Sequence, residues 1–190
     1  MKSLTLLLLL LLSFPGVYAQ EDFFSNKLVN LDNNTIRFSD FKKNKATVLV
    51  FLLSDCPASQ DYTRTLEQLS LQFSEKGVQF IGIFPGNFAA DEELREFRRQ
   101  YKITFPLLKD PDMNFARKLG AGTVPSCFLF DSKGALIYKG RIDDWLYSLG
   151  KKRQVITKHE LRDAISGLLQ NLPVKVKETK PIGCILEFEN

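Results

Sequence analysis

Residues 46–53, ATVLVFLL, form an apolar run rich in β-branched residues, and Ser54-Asp55-Cys56-Pro57 follow at once. Apolar residues without alternation suit a strand buried on both faces of a sheet. Proline suits the first position of a helix, where its missing N–H costs nothing. From Pro57 to about Phe73 the apolar positions Tyr62, Leu66, Leu69 and Phe73 recur at helical spacing. The chain must therefore pass from a buried strand directly into a helix, with a cysteine at the junction.

The same reading extends in both directions. Upstream, LVNLDNNTIRF predicts two short strands around Asp32-Asn33-Asn34. Downstream, Gly77 opens a second buried strand, VQFIGIF, which Pro85-Gly86 ends. Leu94, Phe97 and Tyr101 mark a second amphipathic helix in a highly charged segment. VPSCFLF, the turn DSKG and ALIYKGRI predict a strand–turn–strand hairpin. A last helix is expected from Thr157, where Thr157 and Glu160 have capping-box spacing, with Leu161, Ile165 and Leu168 on one face. Alternating strands and helices imply an α/β domain with a central sheet covered on both sides, made mixed by the antiparallel hairpin.

At 190 residues the chain suffices for one domain and is short for two. Met1-Lys2, the apolar run Leu6–Leu12 and the small residues of Val17-Tyr18-Ala19 have the pattern of a secretory signal peptide cleaved before Gln20. The run is shorter than the ~20 residues a membrane-spanning helix needs. The expected organisation is a signal peptide at 1–19, a folded domain at 20–172 and a tail at 173–190. A mature protein exported to the periplasm or secreted, not stably inserted in a membrane, would meet an oxidising environment. Lysines and glutamates are interspersed, and the formal net charge is only +4. That argues against a nucleic-acid partner, which would call for clustered basic residues.

The order of elements, with Cys56 after the first central strand and at the start of the first central helix, resembles the thioredoxin fold. Thr123-Val124-Pro125 precedes the third central strand, where thioredoxin-like proteins carry a cis-proline beside the active cysteine. The likeness covers roughly residues 25–170. The segments DCPASQDYTRTLEQL, DPDMNFARKLGAGTVPSCFLFDSKGALIYKGRIDDW, LGKKRQVITKHELRDAI and TKPIGCIL further resemble exported bacterial redoxin-domain proteins of the AhpC/TSA-like group. These carry an Asp/Asn-Cys-Pro motif, a Gly-Arg-Ile-Asp-Asp segment and a terminal Gly-Cys-x-Ile tail. The resemblance implies a thioredoxin-like fold, with an N-terminal hairpin and an extended C-terminal tail, and thiol redox chemistry.

The chemistry itself follows from three cysteines. A thiol reacts as thiolate, and a helix N-terminus favours negative charge, so Cys56 is the candidate nucleophile with Pro57 opening the helix behind it. Asp55 opposes that effect unless it points into solvent. Ser59 stands where a dithiol reductase has its resolving cysteine; its hydroxyl could bond the thiolate but cannot form a disulfide. Thr123 and Pro125 are expected to support the site. Cys127 lies within an apolar strand and reads as core. Cys184 lies in a Pro-bounded tail beside Gly183, and an exposed tail cysteine in an exported protein usually has a partner. A Cys56–Cys184 disulfide, within one chain or between two, is the expectation; modification of Cys184, or a bridge to another protein, is the alternative.

Three function classes follow. The first is a thiol–disulfide oxidoreductase acting on protein or small-molecule thiols, with Cys184 resolving Cys56. The second is a peroxiredoxin-like peroxidase, but that chemistry generally has Pro-x-x-x-Thr-x-x-Cys, and here Leu49 and Leu53 fill both preceding slots. The third is a binding module or copper carrier, although Gln60 breaks a Cys-x-x-x-Cys metal motif. The single histidine, His159, reads as a surface residue, so no metal site and no cofactor are expected. Arg141, Asp143 and Asp144 read as a solvated turn at a strand end. Trp145 and Tyr147 read either as cover for a core edge or as an apolar landing surface.

Overall fold

The structure, a computed structural model, describes residues 23–188. The expected signal segment at 1–19 lies outside the described residues. The first hairpin joins β1 (Lys27–Asn30) to β2 (Thr35–Arg37), with Leu28 opposite Ile36. The Asn30 carboxamide oxygen accepts the Asp32 and Asn34 N–H groups and so holds the turn. Next comes β3 (Ala46–Phe51), buried at every position as its unbroken apolar run requires. It leads into α1 (Pro57–Ser74), then β4 (Val78–Pro85) and α2 (Asp91–Gln100). Two short elements follow, β5 (Leu107–Asp110) and α3 (Asn114–Leu119). Beyond them run β6 (Thr123–Val124), β7 (Ser126–Asp131), β8 (Leu136–Gly140), β9 (Leu146–Ser148) and β10 (Lys151–Lys152). The last elements are α4 (Glu160–Leu169) and β11 (Cys184–Ile185).

Seven strands form one sheet in the order β2-β1-β5-β4-β3-β7-β8. Strands β3, β4 and β5 are parallel, whereas β7, β8 and the first hairpin join antiparallel, so the sheet is mixed. Helix α1 packs on β4, and α4 packs on β7 and β8. Phenylalanine rings fill the interior at one end: Phe23 stacks on Phe130, and Phe38 meets Phe115 edge-on. The position of β3 matters most for the site, because the strand beside the sheet centre delivers Cys56 at its carboxyl end.

The structure departs from the sequence expectations in several places. Strand β5 and helix α3 were not predicted, yet β5 lies between β1 and β4. Asp110, at the end of β5, makes α3 possible by accepting the Phe115 and Ala116 N–H groups. The last helix begins at Glu160, not Thr157, with His159 as its half-buried N-cap. No capping box forms, because both partners are engaged elsewhere. The Thr157 hydroxyl donates to Asp144, and Glu160 pairs with Arg141. Asp143 and Asp144 are both 3% exposed, so the segment is no solvated turn. They are tolerated inside because each carboxylate has donors: the Tyr62 hydroxyl and Trp145 N–H for Asp143, and Thr157 and Lys158 for Asp144.

The tail is also more firmly held than its composition suggests. Lys139 N–H donates to the Lys177 carbonyl and Thr179 N–H to the Lys139 carbonyl, each at 3.0 Å. The Thr179 hydroxyl lies 2.6 Å from the Tyr138 hydroxyl and accepts the Arg141 N–H. Beyond this anchor, β11 pairs antiparallel with β6. Among the described residues no helix is long and apolar enough to cross a membrane.

Candidate active site

Cys56 is the N-cap of α1, with φ −79° and ψ 115°, and Pro57 occupies the first helical turn as expected. The Cys56 carbonyl accepts the Gln60 N–H, closing that turn. The residue is 2% exposed in this oxidised state. Asp55 beside it is exposed, so water screens its charge from the sulfur. Ser59, fully buried, does not face the cysteine with a donated bond; its Oγ accepts the Leu53 N–H at 3.2 Å. The serine thus ties the first turn of α1 to the end of β3 and fixes where the helix starts.

The Val124–Pro125 peptide is cis, and the Val124 carbonyl oxygen lies 3.6 Å from the Cys56 sulfur. Cys56 and Cys184 form a disulfide with Cα atoms 6.2 Å apart. Cys184 reaches it because β11 lies along β6, with Cys184 opposite Val124 and Ile185 opposite Thr123. The fold therefore brings Cys56, Pro57, Thr123, Pro125 and Cys184 to one place, with Ser59 one turn behind. Cys127, in contrast, is fully buried in β7, where its thiol donates to the Gly140 carbonyl. Burial, with Asp143 and Glu160 nearby, pushes the Cys127 thiol well above its ordinary pKa and leaves it inert.

A polar layer supports the first turns of α1. Tyr62 donates to Asp143 Oδ1 at 2.7 Å and accepts the Leu146 N–H. Burial and the Asp143 bond push the Tyr62 phenol far above its usual range. Burial likewise raises the Asp143 carboxyl, against the Tyr62 and Trp145 bonds. Trp145 is half-buried and meets Tyr62 edge-on, while the Lys152 ammonium lies 4.8 Å over its ring and pairs with Asp61. Trp145 therefore covers a core edge, whereas Tyr147 is 50% exposed. Among the described residues no three His, Cys, Asp or Glu side chains gather as a metal site. Sequence reasoning missed Thr179 and Leu186. Nothing local marks Thr179, but Leu186 stands two residues after Cys184, the spacing that puts side chains on one face of a strand.

This arrangement, a cysteine at the start of the first central helix beside a cis-proline at the same end of a mixed sheet, defines a thioredoxin-like fold. The chain belongs to the AhpC/TSA family, whose model matches residues 19–139. It is 24% identical over 145 residues to the thiol-disulfide oxidoreductase ResA of Bacillus thuringiensis, covering 70% of this chain and 82% of that protein. An uncharacterized protein of Geobacillus kaustophilus superposes with a TM-score of 0.77 at 26% identity, over 87% of this chain and 90% of that one. A hypothetical protein of Sinorhizobium meliloti gives a TM-score of 0.79 at 24% identity, over 88% and 93%.

Proposed function

We propose that the protein is a thiol–disulfide oxidoreductase in which Cys56 is the nucleophile and Cys184 resolves it. The observation that carries this reading is the Cys56–Cys184 disulfide at the start of α1. In the reduced protein the Cys56 thiolate attacks one sulfur of a partner's disulfide. That bond breaks, the partner's other sulfur leaves as thiolate, and a mixed disulfide forms. The Cys184 thiolate then attacks the Cys56 sulfur, expelling the partner's second thiolate and closing Cys56–Cys184. Two electrons have passed to the partner, and an external dithiol must reopen the bond. The reverse sequence oxidises a dithiol.

Cys184 thus supplies from the tail what Ser59 cannot supply from the helix. The ResA relatives support thiols and disulfides of proteins or small molecules as partners. Export from the cytoplasm suits a cross-link of this kind, which an oxidising environment maintains. A peroxidase reading is less well supported: Leu49 is fully buried and Leu53 half-buried, so neither offers a hydroxyl to polarise a peroxide.

Turnover of a dithiol-coupled disulfide assay tests the assignment. Cys56→Ser should abolish turnover and Cys127→Ser should leave it nearly intact. Cys184→Ser should accumulate the mixed disulfide on Cys56, visible by intact mass. Full activity in Cys56→Ser would refute it.

A further inference from the structure

Gly183 crosses the Val124–Pro125 peptide with no space for a side chain. A Cβ there would overlap the Val124 carbonyl oxygen, and would lie 2.7 Å from the Val124 carbonyl carbon and 3.1 Å from Pro125 Cδ. The carbonyl is backbone, so no rotamer change makes room. The residues that follow lie in an extended register. Cys184 faces Cys56, Ile185 is 76% exposed, and Leu186 is 4% exposed with its N–H donated to the Gly122 carbonyl at 3.0 Å. The slot therefore demands glycine before the cysteine, tolerates any residue after it, and buries an aliphatic side chain two residues on.

We propose that this slot selects the partner: it accepts an extended polypeptide with glycine immediately before its cysteine and an aliphatic residue two positions after. The tail is the resident occupant. The inference rests on Cys56 being the exchange nucleophile, and it names the class of substrate. When Cys184 is released from Cys56, the edge of Thr123–Val124 and the Gly122 carbonyl become available for antiparallel pairing with another chain. Main-chain bonds to that edge are indifferent to sequence. Discrimination comes from the positions that Gly183 and Leu186 fill, so a cysteine preceded by a larger residue meets the Val124 carbonyl and is held away from Cys56.

The test uses full-length Cys184→Ser protein, and the same protein with Leu186→Asp to loosen the tail. Two peptides serve as probes: residues 180–187, and its counterpart with alanine in place of Gly183. Each peptide cysteine carries thionitrobenzoate as a mixed disulfide. The Cys56 thiolate attacks the peptide sulfur, the bond to thionitrobenzoate breaks, and coloured thionitrobenzoate leaves with the electron pair. The glycine peptide should react about tenfold faster or more, given the usual cost of overpacking. Both peptides should react equally with glutathione, and the Leu186→Asp protein should react faster with the glycine peptide. Equal rates for the two peptides on both proteins would overturn the selection and leave the exchange chemistry standing. No release from either peptide, nor from the thionitrobenzoate disulfide of free cysteine, would overturn the exchange reading and this inference together.

Discussion

The Asp144 carboxylate takes three donors although the residue is 3% exposed, the Thr157 N–H and hydroxyl and the Lys158 N–H, and it pairs at 3.4 Å with the Arg153 guanidinium. Burial raises its carboxyl, but the Thr157 and Lys158 bonds and the Arg153 charge outweigh that and hold it well below the usual carboxylate range. A depressed folded-state value stabilises the fold above the unfolded carboxylate value of about 3.9, and that contribution disappears as pH falls below it. Asp144→Asn should therefore cost roughly 1–3 kcal/mol at neutral pH. Its thermal midpoint should also fall less steeply than the wild type's between pH 5 and pH 2. Parallel pH profiles of the two proteins would mean that the carboxylate contributes nothing by its charge. Sequence reasoning placed this residue in a solvated turn because charge alone was weighed. Ile142, Trp145 and Leu146, which flank the two acids, are the signal that the segment runs inward; Ile142 and Leu146 are buried and Trp145 half-buried. The position of Cys56 was easier to read, since strand, cysteine and proline are contiguous and Cys56 needs no distant partner to be placed.

At the scale of elements, the tail has two separate attachments: the anchor at Thr179 on β8 and the β11–β6 pairing that ends in the disulfide. Gly140 makes the anchor possible. Its φ is +140°, and a Cβ there would overlap the Thr179 hydroxyl and carbonyl oxygens and lie 2.8 Å from Thr179 N. Gly140→Ala should detach the anchor and lengthen the free tether of Cys184 from five residues, counted from Thr179, to fifteen, counted from Leu169. Effective concentration falls roughly as the −3/2 power of tether length, so closure of the disulfide in reduced protein should slow about fivefold. Alkylation of Cys56 by iodoacetamide in the reduced state should stay unchanged. An unaltered closure rate, read by quenched mass spectrometry, would show that the anchor does not set the tether. The first hairpin, β3, α1, β4 and the β7–β8 hairpin were readable because their patterns are local. Strand β5 and helix α3 were not, because β5 has four residues and α3 depends on the carboxylate of Asp110 as a cap. The Thr179 anchor is legible only once β8 is in place to receive it.

For the whole molecule, the disulfide closes a loop across a sequence separation of 128 residues, from the start of the first central helix almost to the end of the chain. In the chain-entropy account, a loop of that size restricts the unfolded ensemble by about 5 kcal/mol at most. Reduction should then lower the thermal midpoint by roughly 10–20 °C at that ceiling. Cys184→Ser should match the reduced wild type and ignore added reductant. Scanning calorimetry with and without a non-thiol phosphine checks this, and equal midpoints for oxidised and reduced wild type would contradict it. Cys127→Ser should keep the full redox difference, since its sulfur takes no part in the cross-link.

Strand β8 lies at the border of the seven-stranded sheet, and a bare border offers unpaired amides to any passing chain. The segment around Lys177–Thr179 covers part of that border, with Lys139 and Glu178 pairing across it. This cover is separate from the cysteine clasp. The cover is held by main-chain bonds at Lys177 and Thr179, so opening the disulfide leaves the border dressed. Cycling between the two oxidation states therefore uncovers no fresh template for fibril growth at the β8 border, and the edge that opens is the two-residue one at Thr123–Val124, too short to seed a growing sheet.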